Sequence, residues 1–320
     1  MRVYITGATG FVGSNIAKLY AEHHKLDVVL AGRRPAEQPL PGEFSEVDLL
    51  NPTWVRDSIL AAKPDVVVHA AILNDFPQIY ANRRLGWDSY VTATRSVIDA
   101  ANEVGAVLVF VSTDWVFDGT RANSAEDTPP NPVNLYGFLK AAGELVTLER
   151  ALHPLVARIA GVNGVHWAKP NSPRSQDAGF GYFVASLVDS LSAGQPFVVW
   201  ESDTINTCAT PSMATESAEM MFRLVEAGAR GIFHCCGGES INRIDLAHAA
   251  AEVFELDGSL IRTGPPDEGA LPAAPVPQDT SLDARATAAT IDYELPTVRT
   301  LLTEFRRQRE TGLVQPLAAS

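Results

Sequence analysis

The chain opens Arg2-Val-Tyr-Ile-Thr6-Gly7-Ala-Thr9-Gly10-Phe11-Val12-Gly13-Ser14-Asn-Ile-Ala-Lys-Leu-Tyr20. A short apolar strand pattern starts at once, breaks into a glycine turn, and continues into a segment that reads as a helix. Strand, glycine turn and helix in that order form a dinucleotide-binding opening. The glycines let the backbone turn tightly and approach a pyrophosphate, which then rests at the helix amino end. The spacing is G-x-x-G-x-x-G, not G-x-G-x-x-G, and the chain holds 23 glycines, so the loop alone also fits a plain turn. The strand directly before it and the helix directly after it select the nucleotide reading.

Outward from this stretch, strand and helix patterns alternate. Val28–Ala31 reads as a second strand, followed by Arg33 and Arg34. Val47-Asp48-Leu49 reads as the end of a third strand before a helix that starts near Pro52. Pro64–His69 is a fourth strand, ending in Ala70-Ala71, and a helix is expected from Tyr90 to Val104. Val107–Ser112 is the fifth strand, and Leu155–Ile159 the sixth. These runs are apolar along their length, as in a parallel sheet covered on both faces. The fold class is therefore α/β, a doubly wound parallel sheet of the Rossmann type, with a smaller C-terminal substrate domain. Residues 1–162 are read as the dinucleotide-binding domain. Residues 163–320 are read as mostly substrate-binding, with segments returning to the main sheet. Ligands of such a sheet bind beyond the carboxyl ends of its strands, where Gly7–Gly13, Ala70-Ala71 and Thr113 fall.

The fifth strand delivers Ser112-Thr113-Asp114-Trp115-Val116-Phe117-Asp118-Gly119, and Tyr136-Gly-Phe-Leu-Lys140 follows a Pro-rich loop. A Tyr and a Lys four apart share a helix face. A nearby ammonium is expected to lower the tyrosine below its ordinary pKa, so that it serves as general acid or base near neutral pH. Thr113 is placed to hold a carbonyl or alcohol oxygen against that tyrosine. With a nicotinamide alongside, these are the parts of hydride chemistry at a carbon–oxygen bond.

Composition bounds the partners. The 320 residues carry a formal net charge of −13, which argues against nucleic acid and anionic membrane as main partners. No apolar run is long enough to span a bilayer, the first residues are already strand and phosphate loop, and a cytoplasmic location is expected. The three cysteines, Cys208, Cys235 and Cys236, show no metal-ligand spacing and no disulfide framework, so buried thiols and no metal are expected. The partners expected are a small-molecule substrate and, as the oligomer left open, a second copy of the chain in a homodimer.

On the segments 112–119 and Asn131-Pro-Val-Asn-Leu-Tyr-Gly-Phe-Leu-Lys-Ala-Ala-Gly-Glu144, the chain resembles the extended short-chain dehydrogenase/reductases. Within them it is most similar to the dTDP-4-dehydrorhamnose reductase branch. A weaker echo, Ser281-Leu-Asp283 followed by Leu295-Pro296, extends the likeness over nearly the whole chain. The resemblance implies that Tyr136 protonates a ketone oxygen during reduction. It implies that Lys140 lowers the pKa of Tyr136 and bonds the nicotinamide ribose, and that Thr113 bonds the reacting oxygen. Cofactor contacts are expected at Gly7, Thr9, Gly10, Phe11, Val12, Gly13, Tyr136 and Lys140, with Asp48 and Leu49 bordering the adenine and Ala70 and Ala71 beside the ribose and pyrophosphate. The substrate implied is a keto-sugar, a nucleotide-linked 4-keto-6-deoxy sugar. Relatives that dehydrate nucleotide sugars resemble this chain but carry Asp-Glu after the Thr. Here the second position is Trp115, which removes the base for water loss. Trp115 also reads as a core aromatic.

A NAD site of this kind places a carboxylate about 20 residues past the glycines. Here that position is Arg33, with Arg34 next. Two guanidiniums suit a 2′-phosphate, so NADP(H) is preferred and NAD(H) remains possible; the alternative is a pair of solvated loop arginines. The sequence departs from the reductase branch after the sixth strand, where Gly161 and Asn163 stand in place of Trp and Tyr. Candidate substrate contacts are Asn74, Thr113, Asp114, Trp115, Asn163, Trp167, Phe183 and Asn206, each with a packing reading beside it. The stretch 166–177 is read as a mobile loop near the site, 180–193 as a helix, 264–278 as a Pro-rich surface loop, and Arg306–Arg309 as a solvated helix end. Two other functions stay open. One is a non-catalytic NADP-binding regulatory subunit like that of methionine adenosyltransferase. The other is a nucleotide-sugar epimerase.

Overall fold

The protein is described by a computed structural model covering residues 1–170, 175–267, 269–272 and 274–317. Residues 171–174 of the loop expected at 166–177, and 268 and 273 of the Pro-rich stretch, lie outside the described residues. Six strands come from the first half of the chain: β1 (Arg2–Thr6), β2 (Asp27–Gly32), β3 (Glu43–Glu46), β4 (Val66–His69), β5 (Val107–Thr113) and β6 (Pro154–Ile159). With the strand Gly231–His234 they form one seven-stranded sheet in the order Gly231–His234, β6, β5, β4, β1, β2, β3. Every neighbouring pair is parallel. From β1 the chain builds outward to β2 and β3, then crosses back to β4. The crevice of this doubly wound sheet therefore opens at the carboxyl ends of β1 and β4.

Alternating side chains of one strand feed opposite layers. Val3 and Ile5 face α1 (Phe11–Lys18) and the later helix Ala214–Glu226, among Ile16, Met220 and Leu224. Tyr4 between them faces α2 (Pro52–Ala62) and the helix Ala93–Val104, among Val55, Ile59, Val97 and Ile98. Both faces are covered, which is why these strands are apolar throughout. The remaining helices are α3 (Phe76–Ala81), α4 (Arg83–Trp87), α5 (Ala93–Val104), α6 (Leu135–Arg150), α7 (Phe183–Ser192), α8 (Ala214–Glu226), α9 (Arg243–Val253), α10 (Arg285–Ile291) and α11 (Val298–Thr311). In the second half, α7, α9 and α11 enclose their own apolar core, which includes Phe183, Leu187, Leu246 and Phe305. Beside it, Phe197–Trp200 pairs in parallel with Ile261–Gly264. The chain then returns: the Ser124 amide donates to the Ser281 carbonyl at 3.0 Å, and Leu282 packs with Val116 and Phe117. Among the described residues no helix is long and apolar enough to cross a membrane.

Four sequence expectations shift. The third strand lies at Glu43–Glu46, not at Val47–Leu49; as a half-exposed edge strand it lacks the apolar run that marks its neighbours. Asp48 instead begins a turn, its carboxylate accepting from the Leu50 amide at 3.1 Å. The helix expected from Tyr90 is regular only from Ala93, after a π-helical turn over Asp88–Thr92. The helix expected from Phe180 starts at Phe183, because Tyr182 takes a left-handed conformation at φ 54°. The arginines near the end are not simply solvated. Arg306 donates to the Val253 carbonyl at 2.8 Å, Arg309 pairs with Asp189 at 2.7 Å, and Gln308 between them is buried, so polar contacts add to the apolar docking of α11.

Candidate active site

The glycine loop is built by close approach. Gly7 has φ 68°, and a Cβ there would lie 2.7 Å from the Ala71 Cα; a Cβ on Gly13 would lie 2.2 Å from the Gly7 carbonyl oxygen. Only glycine lets β1, the start of α1 and the Ala70-Ala71 segment converge in this way. Gly10 caps α1 in extended conformation, and its amide donates to the Gly7 carbonyl at 2.9 Å. The cradle a Cβ would fill, at a helix amino end, fits a dinucleotide pyrophosphate. Thr9, Phe11 and Val12 are half-buried on this loop, and Phe11 also meets Tyr182 edge-on at 5.2 Å. Arg33 and Arg34 are exposed just past β2, and Leu49 is half-buried against the α2–α5 layer.

Beneath the crevice, His69 ties three elements together. Its Nδ1 meets Thr6 Oγ1 at 2.7 Å and its Nε2 meets Thr94 Oγ1 at 3.0 Å. Burial, helped by the Lys140 charge, pushes His69 down to about 3, so it stays neutral as a buried pin.

Thr113, Tyr136 and Lys140 meet at the carboxyl end of β5. Asn134 starts α6 by accepting from the Gly137 amide at 2.9 Å. A Cβ on Gly137 would lie 2.1 Å from the Trp115 carbonyl oxygen, so the first turn of α6 is pressed onto the backbone that carries Thr113. The Thr113 hydroxyl donates to Asp114 Oδ1 at 2.9 Å and accepts from the Trp115 amide at 3.3 Å. Burial pushes Tyr136 up to about 12, opposed by its hydrogen bond with Thr113. This reverses the sequence expectation of a lowered tyrosine, because Lys140 does not act on it here. Lys140 donates to the Val111 carbonyl and stands 4.3 Å over the Phe110 ring. Burial brings it down to about 7. Asp114 is pushed up to about 6 by burial, against hydrogen bonds that include those from Thr280 and Thr113.

A cavity of about 150 Å³ lies against Tyr136. Phe76, Pro77 and Tyr80 of α3 form one wall, and Trp115 with Asn134 forms another. Pro272, Ala274 and Pro275, from the stretch expected to be a surface loop, form the roof. That roof is anchored where Asn134 Nδ2 donates to the Pro275 carbonyl at 2.9 Å. Trp115 therefore lines the cavity, stacked on Phe76 with centroids 6.5 Å apart.

The other substrate candidates separate. Asn74 is exposed in the loop before α3. Asn206 is buried and donates to Thr280 at 2.6 Å, standing behind Asp114. Phe183 is fully buried in the core of α7, α9 and α11. Asn163 donates to the Gly161 carbonyl at 2.7 Å, and Trp167 donates to Asn15 on α1 at 3.0 Å. None of these last three lines the cavity; their hydrogen bonds and packing shape the chain itself.

Sequence reading missed one network. Arg158, fully buried on β6, forms a bidentate pair with Glu144 of α6 at 2.9 and 2.8 Å. Ser112 of β5 donates to the same carboxylate, and Arg158 reaches His234 of the last strand at 3.4 Å. Glu144 lies one helical turn beyond Lys140, so the network sets how deeply α6 sits. A carboxylate and a guanidinium in otherwise apolar segments were the available signal.

Comparison with known proteins follows from this geometry. A family model described as RmlD substrate binding domain matches residues 1–310. Methionine adenosyltransferase 2 subunit beta of Bos taurus is 29% identical over 282 residues, covering 88% of this chain and 80% of its own. The probable low-salt glycan biosynthesis reductase Agl14 of Haloferax volcanii is 26% identical over 300 residues, covering 93% and 95%. Among solved structures, a hypothetical dTDP-4-dehydrorhamnose reductase from Sulfolobus tokodaii superposes with a TM-score of 0.75 at 26% identity, over 93% of this chain and 97% of that one. The dTDP-4-dehydrorhamnose reductase of Bacillus anthracis in complex with NADP gives 0.77 at 21% identity, over 96% and 99%. With a seven-stranded parallel sheet and a match that runs from the first residue nearly to the last, the chain belongs to the RmlD substrate binding domain family, a branch of the extended short-chain dehydrogenases/reductases.

Proposed function

We propose that the protein is an NADP(H)-dependent reductase of a keto-sugar, a nucleotide-linked 4-keto-6-deoxy sugar, with Tyr136 as general acid. The observation that carries this reading is the convergence, at the carboxyl ends of β1, β4 and β5, of the glycine cradle with Thr113, Tyr136 and Lys140. A nicotinamide cofactor, its pyrophosphate held by Gly7–Gly13, would supply the hydride for the carbonyl carbon. Tyr136 supplies the proton to the carbonyl oxygen. A hydroxyl held near 12 is fully protonated at neutral pH, which suits an acid that must donate. Thr113 orients the oxygen, and Lys140, buried below on the same helix face, donates to the Val111 carbonyl. Arg33 and Arg34, exposed beyond β2, support a 2′-phosphate on the cofactor, as does the NADP complex of the Bacillus anthracis relative.

The test is NADPH oxidation followed by absorbance with dTDP-4-keto-6-deoxyglucose. Tyr136→Phe should lower turnover by about 10²–10⁴-fold, the usual weight of a general acid, with cofactor affinity nearly unchanged. Full activity in that variant would sink the assignment. The Michaelis constant for NADPH should lie below that for NADH, and the opposite order would remove Arg33 and Arg34 from the cofactor site.

A second reading is favoured by the relatives named as subunits of methionine adenosyltransferase. In it the chain binds NADP and regulates a partner enzyme. Absence of NADPH oxidation with every keto-sugar offered, together with tight binding to such a partner, would select it.

A further inference from the structure

The cavity beside Tyr136 has few polar atoms to offer a sugar. Asn134 lines it, but its Oδ1 accepts from the Gly137 amide and its Nδ2 donates to the Pro275 carbonyl, at 2.9 Å each. The Tyr80 hydroxyl accepts from the Leu135 amide at 3.0 Å, which leaves its proton as a single donor to the cavity. The rest of the wall is aromatic or aliphatic: Phe76, Trp115, Pro272 and Ala274 among them. Among the described residues no charged side chain lines it. The wall is also preformed. The Trp115 ring is held between Phe76 on one side and Gly179 on the other, where even a Cβ would come within 3.0 Å of the indole.

Hydroxyls buried against such a wall without partners are unfavourable, whereas hydrocarbon is favoured. An apolar pocket of about 150 Å³ has room for a hydrocarbon ring of about benzene size. That is far more room than the single methyl of a 6-deoxy sugar fills. We propose that the carbonyl compound acted on here carries a ring-sized hydrocarbon group, and that this group occupies the pocket formed by Phe76, Trp115, Tyr136, Pro272, Ala274 and Pro275. The substrate class is thus a ketone with an alicyclic or aryl substituent close to the carbonyl, whether or not a sugar forms the rest of the molecule. The inference rests on the reductase reading for the position of the carbonyl at Tyr136 and departs from it in the substrate, replacing the 6-deoxy sugar's methyl by a ring-sized hydrocarbon group.

The experiment is ligand-observed NMR on the full-length protein with NADPH present. Acetophenone serves as the apolar probe and glucose as a hydroxylated ring of similar size. Acetophenone should bind saturably and glucose should not. Ala274→Glu places an unpaired carboxylate in the roof and should weaken acetophenone at least about tenfold while NADPH binding stays unchanged. Should that variant fail to fold, Pro272→Glu makes the same test from the same loop. Glucose binding in place of acetophenone overturns the proposal, as does equal acetophenone affinity in wild type and the folded variant. Loss of NADPH binding in the wild type would overturn the reductase reading instead, and the acetophenone titration without cofactor would still decide the pocket.

Discussion

Lys140 donates to a backbone carbonyl inside the protein, and burial brings its ammonium from 10.5 down to about 7. The unfolded chain therefore binds a proton that the folded one releases between those values, and this group makes the fold less stable as pH falls through that window. Below the folded value the penalty is constant. Lys140→Met removes it. The variant should gain stability relative to wild type by about 1–3 kcal/mol more at about pH 7 than at about pH 9, read by urea unfolding at both. An unchanged difference would mean that Lys140 remains charged in the fold. At this scale the sequence put Thr113, Tyr136 and Lys140 close together, but it also nominated Asn163, Trp167 and Phe183, which pack elsewhere, and it did not give protonation. Tyr136 and Lys140 are four apart, so their common helix face was legible. That Lys140 turns to Val111, and that Tyr136 is governed by burial, depends on solvent exclusion by β5 and α3, which no local pattern encodes.

The element on which the site depends most is α6. Its cap at Asn134 and the glycine at its third position act together, since the first turn closes only if nothing projects from residue 137 toward the Trp115 carbonyl. Gly137→Ala would normally favour a helix. Here the added methyl must displace α6 or Trp115. The variant should lose about 1–3 kcal/mol by thermal or urea unfolding, with helix content retained in circular dichroism. A gain in stability would show that the contact relaxes freely. Elements with apolar runs, such as β4 and β5, were plain in the sequence. The edge strand β3 was not, because half its residues face solvent. The stretch 264–278 reads in the sequence as a Pro-rich surface loop, and nothing in it marks Pro272, Ala274 and Pro275 as a cavity roof. Its place over Tyr136 follows from two long-range bonds, Asn134 to Pro275 and the Asp279 amide to the Gly119 carbonyl at 3.2 Å.

Across the whole molecule, the buried Glu144–Arg158 pair joins α6 to β5, β6 and the last strand of the sheet. Removing one partner leaves a buried charge alone. Arg158→Met should cost about 3–5 kcal/mol, and adding Glu144→Leu should restore most of the loss. Equal instability of the single and double variants would mean that the remaining partners, Ser112 and His234, need the charges rather than merely tolerate them. The doubly wound sheet was legible from alternating strand and helix patterns, whereas this junction joins residues too distant in sequence for any short pattern to reveal.

The position of Gly231–His234 beside β6 also bears on how the protein is made. Residues 160 to 230 separate the two strands, so at ordinary synthesis rates of about 5–20 residues per second β6 waits roughly 4–14 s for its neighbour. During that interval the nascent chain exposes an apolar, hydrogen-bonding rim to everything near the ribosome, including copies of itself. Slowing translation within 160–230 lengthens the wait and places the hazard of aggregation in birth rather than in the finished fold.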